Sequence, residues 1–445
     1  MKLPSYVAYC VEVLEEAGFA AYAVGGCVRD WLLGREPHDY DLCTNAPPEN
    51  IQELFPQQEL VLAGVKHGTV GVIVGTDVVE ITTFRKEGDY TDGRHPDWVK
   101  FVSDVEEDLA RRDFTVNAMA WSPKRGLADP FGGQADLNSG TLRAVRDPEQ
   151  RFREDPLRIL RGARFAAKYR LTPEEKTMKA MVQLAPLMDG LARERVYSEL
   201  CQLLLHAETE DLLHYQPVIT QVIPQLSSAV GFDQHSPYHQ YDLYTHIAHV
   251  TAAVPSELPL RWAALLHDVG KPETFSRDEA GRGHFYGHAQ VGSQMADKIL
   301  RQLKAPNALR EQVVLLVDQH MTLVEPHRKP IRRRLSRLGM ECFFQLLSLQ
   351  EADRAGKGTV PKKKDIYFDT VRQIAEAMAD EEPCLTLKNL AINGMDLLDL
   401  GYPEGKVIGQ CLADMLEMVV EELLPNDRPE LLAWAKKARK DHIYF

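Results

Sequence analysis

The spacing of apolar positions along this chain changes once, near residue 150. Before that point, short β-rich runs bounded by Gly and Asp predict strands: AYAVGG (21–26), HDYDLCT (38–44), TVGVIVG (69–75) and DVVEITTFR (77–85). VEVLEEAGF (11–19) reads as a helix ended by Gly18. Beyond residue 150, PLRILRGARFAAKY (156–169), EEKTMKAMVQLAPLM (174–188) and RVYSELCQLLLH (195–206) repeat apolar residues at three and four, the helical period. LRWAALLHDVGK (260–271), REQVVLLVDQH (310–320), FDTVRQIAEAMA (368–379) and GKVIGQCLADMLEMVVEELL (405–424) continue it. The expected plan is a small α/β head (1–140), a helical neck (141–205), a helical body (206–356) and a helical tail (357–445). RAGKGTVPKKK (354–364) combines Gly, Pro and charge and predicts a loop.

The 445 residues exceed what one core can organise. No apolar run of about 18 residues is present to span a membrane. Acids interrupt the apolar N-terminal stretch, so it does not read as a signal peptide. Seven cysteines, none spaced CxxC, fit reduced thiols in a cytoplasm and no zinc knuckle.

A net charge of −13 repels a polyanion on average, so any nucleic-acid contact must rest on local basic patches. Residues 151–170 carry Arg151, Arg153, Arg158, Arg161, Arg164, Lys168 and Arg170 against Glu154 and Asp155. Residues 328–337 carry Arg328, Lys329, Arg332, Arg333, Arg334 and Arg337 without an acid, and Lys362, Lys363 and Lys364 follow. Such runs also occur as solvated helix faces.

The chemistry begins at AYAVGGCVRDWLLGREPHDYDLCT (21–44). A strand runs into Gly25-Gly26 and a helix starts near Val28. Glycines at such a turn let backbone N–H groups approach a phosphate, and Arg29, one turn into the helix, can pair with it. Asp39 and Asp41, two apart on an expected strand, face one side, roughly 6.5–7 Å apart at Cα. Like charges so placed call for a cation, and hard Mg²⁺ takes carboxylate and phosphate oxygens. Glu80, in VVEITTF, is the third carboxylate. Two such ions activate an attacking hydroxyl and stabilise a pyrophosphate leaving group.

GGCVRDWLLGREPHDYDLCT resembles the head signature of the class II tRNA nucleotidyltransferase and bacterial poly(A) polymerase family. RRDFTVNAMA (111–120), DPFGGQADLNSGTLRAV (129–145), REDPLRILRGARFAA (153–167) and ARERVYSEL (192–200) resemble its later motifs in order. The resemblance implies a polymerase-β-like α/β head on an all-helical neck, body and tail. It implies untemplated addition of nucleotides from CTP and ATP to a tRNA 3′ end, with Mg²⁺ on Asp39 and Asp41 and no DNA partner. It implies that Asp155 and Arg158 read the Watson–Crick edge of the incoming base. A guanidinium donates to cytosine O2 and N3 and a carboxylate accepts from its N4 amine; three apart on a helix they are neighbours. By the same correspondence Gly25, Gly26, Arg112, Asp113, Asn117, Arg161 and Arg164 contact nucleotide. Helix geometry limits this, since steps of three drift by about 60° and Arg164 falls opposite Asp155. Asp155 before Pro156 is also a good helix N-cap.

Arg85 to Asp108 matches the length of the family's flexible loop in enzymes that add all of CCA. An A-only enzyme or a poly(A) polymerase uses the same chemistry, although the tail ending DHIYF is shorter than the latter's basic extension. Oligomeric state is left open.

His267-Asp268, in WAALLHDVGK, stands with His246, His288, His320 and Asp353 in an H…HD…H…H…D set that resembles the HD phosphohydrolase superfamily. Adjacent His and Asp cannot share one helix face unless a ligand gathers them. Histidine suits Ni²⁺ or Mn²⁺ more than Mg²⁺, and a metal-bound water attacks phosphoesters. The set therefore predicts a second divalent metal and a phosphatase or 2′,3′-cyclic phosphodiesterase activity in tRNA end repair. A further alternative is an HD phosphohydrolase whose head only binds RNA, which leaves the clustered acids of the head without a use.

Overall fold

A computed structural model describes residues 1–88, 98–358, 366–381 and 384–440. The chain forms two compact units, Met1–Ser227 and Ser228–Phe445. The first unit holds the expected head and neck together with 206–227 of the expected body; the rest of that body and the expected tail fall in the second.

The first unit opens with α1 (Ser5–Glu16), whose buried Val7, Cys10, Val11 and Leu14 recur at helical spacing. It leads into β1 (Ala21–Val24), α2 (Gly26–Leu32), β2 (Asp41–Thr44) and α3 (Pro48–Leu54). β3 (Leu60–Val61), β4 (Thr69–Val74) and β5 (Asp77–Thr83) follow. A separate hairpin of β6 (Arg85–Glu87) and β7 (Val99–Phe101) precedes α4 (Val105–Leu109), β8 (Ala120–Ser122) and β9 (Gly126–Ala128). Seven strands pair in the order β3-β4-β5-β2-β1-β8-β9, mixed because β2 and β5 run parallel. Tyr22, Val24, Cys43, Phe84, Leu109 and Val145 pack into one apolar cluster of this head.

α5 (Gly133–Asn138), α6 (Pro148–Glu154) and α7 (Leu157–Tyr169) lead to α8 (Glu175–Leu184), α9 (Arg193–His206), α10 (Thr209–His214) and α11 (Gln216–Val222). α7 buries ten of its thirteen residues, which makes it the central helix of the neck.

The second unit contains α12 (Leu243–Ala253), α13 (Leu258–Leu266), α14 (His288–Gln302), α15 (Asn307–Gln319), α16 (Arg328–Leu338) and α17 (Met340–Gly356). α18 (Ile366–Asp380), α19 (Gly394–Asp399), α20 (Lys406–Val420) and α21 (Arg428–Lys440) complete it. Two apolar clusters organise the later helices: Ile331, Leu335, Phe343 and Val371 in one, Leu397, Cys411, Met415 and Leu431 in the other.

Two expectations change. β2 begins at Asp41, so Asp39 precedes the strand and does not share its pleat. Asp41 pairs with Val24, the last residue of β1, and the turn at Gly25 leaves no backbone for Asp39 to pair with. The loop expected at 354–364 starts later, because α17 runs to Gly356. Lys362, Lys363 and Lys364, the middle of the 85–108 loop and the terminal DHIYF lie outside the described residues.

Candidate functional sites

The first site sits where β1 ends and β2 begins, beside the middle of β5. Asp41 and Glu80 are direct partners across the parallel β2–β5 pair, so the sheet itself aligns the two carboxylates. Burial raises the Asp41 pKa, Glu80 raises it further, Arg112 opposes the rise and Asp39 adds to it. Three acids thus act on one another, and the charged form of Asp41 is disfavoured until a cation arrives. Asp41 remains open to solvent on one side. The oxygen donor set fits a hard divalent ion held jointly with substrate phosphates and water.

Gly25 closes the other side. Its φ is +77°, a region that L side chains avoid, and an added Cβ would lie 2.9 Å from Arg112 Nη1. Glycine here therefore admits the Arg112 guanidinium against the turn. Gly26 begins α2.

Arg29 departs from its expected role as a phosphate ligand. It is 5% exposed, and its guanidinium donates to Asn117 Oδ1, the Tyr169 hydroxyl and Asp30. The arginine lies over the Tyr169 ring, 4.0 Å from its centroid. Asn117 passes the linkage on, donating to Asp113 Oδ1 at 3.1 Å, while Asp113 Oδ2 accepts from Arg161 at 2.9 and 2.7 Å. Arg29, Asn117, Asp113 and Arg161 form one chain from the glycine turn to α7. Burial alone would raise the Asp113 pKa, but Arg161 outweighs it and holds the carboxyl well below the usual range.

Asp155 and Arg158 do not form the expected pair of helical neighbours. Asp155 lies in extended backbone between α6 and α7 (φ −138°, ψ 99°), so the three-residue helical spacing does not apply. Its Oδ1 accepts from Leu157 N at 3.1 Å, the capping use the Asp-Pro sequence suggests, and Oδ2 pairs with Arg195 at 3.0 Å. Arg158 is buried and donates to Glu154 Oε2 (3.0 Å) and to the carbonyls of Arg111 (3.1 Å) and Arg151 (3.4 Å). Arg164 pairs with Glu199 at 2.8 Å and lies over the Phe165 ring. Arg161 and Arg164, one helical turn apart, both lie over the Phe165 ring and differ in their carboxylate partners, Asp113 and Glu199. Arg195 and Glu154 are the residues that sequence reasoning missed here; their motif neighbours were the only signal.

The basic run at 328–337 is largely neutralised. Lys329 and Arg333 pair with Glu421, Arg332 with Glu422 and Arg328 with Glu381. These acids lie 53 to 92 positions further along the chain, so no local charge pattern reveals them.

The second site lies among α12, α13, α14, α15 and α17. His267 caps α13 and Asp268 falls in the turn after it, which is how adjacent residues come to face one centre. An added Cβ at Gly270 would lie 2.5 Å from the His288 carbonyl, so the glycine of this turn lets α14 close on it. All six expected residues are buried. Asp268 Oδ2 lies 3.3 Å from His246 Nε2 and 3.2 Å from His267 Nε2, with Asp353 Oδ1 3.1 Å from His246 Nε2. Asp268 Oδ1 faces the other way, 3.4 Å from His288 Nε2 and 3.7 Å from His320 Nε2. The donor atoms of His246, His267, Asp268 and Asp353 lie within 4.8 Å of one another, as do those of Asp268, His288 and His320.

The Nδ1 atoms explain this convergence. Those of His246, His267, His288 and His320 each lie against a backbone carbonyl, of Gly356 (3.1 Å), Ala264 (2.8 Å), Phe285 (2.7 Å) and Val317 (2.6 Å). Each ring donates its Nδ1–H outward and turns an Nε2 lone pair inward, the outer-shell arrangement of metal-binding histidines. A mixed nitrogen and carboxylate set fits a borderline divalent metal. The carboxyls of Asp268 and Asp353 stay well below the usual range despite burial, His267 and Lys271 prevailing at Asp268 and the histidines at Asp353. No helix among the described residues is long and apolar enough to cross a membrane.

Three family models match in order: the poly A polymerase head domain over residues 21–143, a probable RNA- and SrmB-binding site of polymerase A over 170–229, and a putative tRNA nucleotidyltransferase domain 2 over 283–435. The CCA-adding enzyme of Lactobacillus helveticus is 31% identical over 94% of this chain and 92% of its own length. That of Enterococcus faecalis is 32% identical over 96% and 95%. The crystal structure of the Bacillus stearothermophilus CCA-adding enzyme in complex with CTP is 29% identical, with a TM-score of 0.68, covering 100% of this chain and 99% of the other. A Thermotoga maritima CCA-adding enzyme complexed with tRNA shares the fold at 20% identity and a TM-score of 0.58. Likeness on this scale, over nearly the whole length of each partner, places the chain in the family of CCA-adding nucleotidyltransferases.

Proposed function

We propose that this chain adds CMP, CMP and AMP in turn to a tRNA 3′ end, taking CTP and ATP as donors. The observation that carries the reading is the register of Asp41 with Glu80, with Asp39 beside them and Arg112 against Gly25, in a chain of this family. Asp39 and Asp41 would hold Mg²⁺, which supplies charge to the triphosphate and lowers the pKa of the attacking 3′-hydroxyl. Glu80 keeps the donor set acidic. Arg112 balances the acids and stands where a triphosphate meets the glycine turn. Asp155 and Arg158 would read the base edge, each exchanging its present partner, Arg195 for Asp155 and Glu154 for Arg158, for the incoming base. Arg161 and Asp113 tie this region to the phosphate side.

Incubating a tRNA that lacks its end with labelled CTP and ATP tests the reading. Two C and one A are expected; an ATP-only ladder would assign a poly(A) polymerase or A-adding enzyme instead.

A second activity is favoured by the four inward Nε2 atoms around Asp268. His246, His267, Asp268 and Asp353 would hold one divalent metal such as Mn²⁺ or Ni²⁺, and Asp268, His288 and His320 another. The chemistry supplied is hydrolysis of a phosphomonoester or 2′,3′-cyclic phosphodiester. Elemental analysis of the purified chain tests it, and metal at background level defeats it.

A further inference from the structure

Lys271 lies beside the centre in the second unit, 6% exposed, with Nζ 2.7 Å from Asp268 Oδ2 and its ammonium over the Phe285 ring. The same ammonium donates to Gln234 Oε1 at 2.9 Å. An ammonium has no acceptor, so the oxygen of that amide must face it and Nε2 must face away. Gln234 is 1% exposed, yet its Nε2 has no hydrogen-bond partner. His239 repeats the pattern: its ring stands perpendicular to that of His246 at 5.4 Å, and its Nδ1 is buried without a partner. Buried polar atoms are nearly always satisfied, so two unsatisfied nitrogens beside one cluster of metal-type donors, one an amide donor and one an imidazole nitrogen able to donate, mark a place for a ligand with acceptors.

The backbone holds these groups in place. Gly283 N donates to the His235 carbonyl at 2.9 Å, and a Cβ at Gly283 would collide with the Gln234 carbonyl at 2.3 Å. Gln240 N donates to the Lys357 carbonyl at 3.0 Å, and His239 bridges Gly358, which ties the segment to the end of α17. Lys357 adds a second ammonium, 3.6 Å from Asp353 Oδ2.

We infer that Gln234, His239 and Lys271 form an anion subsite on this centre, built for the non-bridging oxygens of a phosphate group. The inference rests on reading the centre as a metal site. Gln234 Nε2 and the His239 ring, as its Nδ1–H tautomer, supply neutral donors, while Lys271 supplies charge already balanced by Asp268. A neutral donor recognises phosphate without adding to the cations that compete for the acids.

The test uses the full chain loaded with Mn²⁺, with inorganic phosphate as the probe. Broadening of the phosphorus resonance reports phosphate near the ion, and elemental analysis reports the ion itself. Gln234→Leu and, separately, His239→Asn are expected to weaken phosphate binding by about tenfold or more at full metal content. Unaltered phosphate affinity in both variants, at full metal content, overturns the subsite; water then satisfies the two nitrogens. A wild-type chain that holds Mn²⁺ but no phosphate overturns it as well. A wild-type chain that holds no metal overturns the underlying reading, and the metal analysis alone distinguishes that case. Displacement of phosphate by a 3′-phosphorylated dinucleotide, and not by its 3′-hydroxyl counterpart, assigns the subsite to RNA ends; failure to displace assigns it to free phosphate.

Discussion

Arg29 and Tyr169, 140 positions apart, are joined by a hydrogen bond from the guanidinium to the phenol oxygen and by stacking at 4.0 Å. The contact fastens the helix after the glycine turn to the last turn of α7. Four residues back, Phe165 also faces Arg29, at 5.5 Å, and Arg161 completes the face through Asp113. The glycine turn and α7 are thus held in register by buried side chains. Tyr169→Phe keeps the ring and leaves one guanidinium N–H buried without its partner. The expected cost is about 1–3 kcal/mol in urea unfolding, with a severalfold loss of kcat/KM for CTP. An unchanged unfolding curve would show that the hydroxyl contributes nothing.

Asp41 carries the opposite kind of cost. Its pKa is raised by burial and by Glu80, so folding disfavours its charged form relative to the unfolded chain, and stability falls as pH rises from the unfolded value through the folded one. Asp41→Asn removes that penalty. The variant should melt higher than wild type at neutral pH without divalent ions, and should gain less when Mg²⁺ is added. Nucleotide addition should fall by at least about a hundredfold. A variant that melts lower without Mg²⁺, or still adds nucleotides well, would show that the acids do not form this site.

How much of this was legible in the sequence depends on how far each cause lay along the chain. The strand at 77–83 and the helix at 157–169 follow from local period, and both stand where the pattern places them. The pairing of Asp41 with Glu80 was not legible as a register, because parallel partners are chosen by the whole sheet. The start of β2 was misplaced because Asp39 looks like its neighbour, and only the end of β1 tells them apart. Asp155 and Arg158 have the spacing of helical neighbours, but the proline-marked break between α6 and α7 separates them. The second centre was legible as a residue set. The backbone carbonyls that turn each histidine inward were not, because they belong to helix-end geometry.

The basic helix α16 bears on how RNA is held. Lys329, Arg332 and Arg333 are already paired with Glu421 and Glu422, so few counterions are theirs to displace from RNA. Replacing Arg332 and Arg333 by Gln is expected to change the KM for tRNA by less than about threefold and to leave its salt dependence alone, because surface pairs are weak and locally compensated. A clear drop in the salt slope would return these arginines to the RNA interface.

Asp113 gives a prediction in acid. Burial pushes its pKa up, but Arg161, Arg158 and Asn117 hold it down, and the net shift is strongly downward. A group depressed in the folded state contributes stability above its unfolded pKa, near 3.9 for aspartate, and loses it as pH falls towards the folded value. Asp113 should therefore make the first unit progressively less stable below about pH 4. Asp113→Asn cannot titrate, and it leaves Arg161 without its carboxylate. The variant should be less stable than wild type at pH 7, by an amount that shrinks as the pH is lowered. Urea midpoints measured from pH 7 down to pH 3 decide the matter. A difference between the two proteins that stays constant across that range would mean that the Asp113–Arg161 pair does not set the acid sensitivity of the neck.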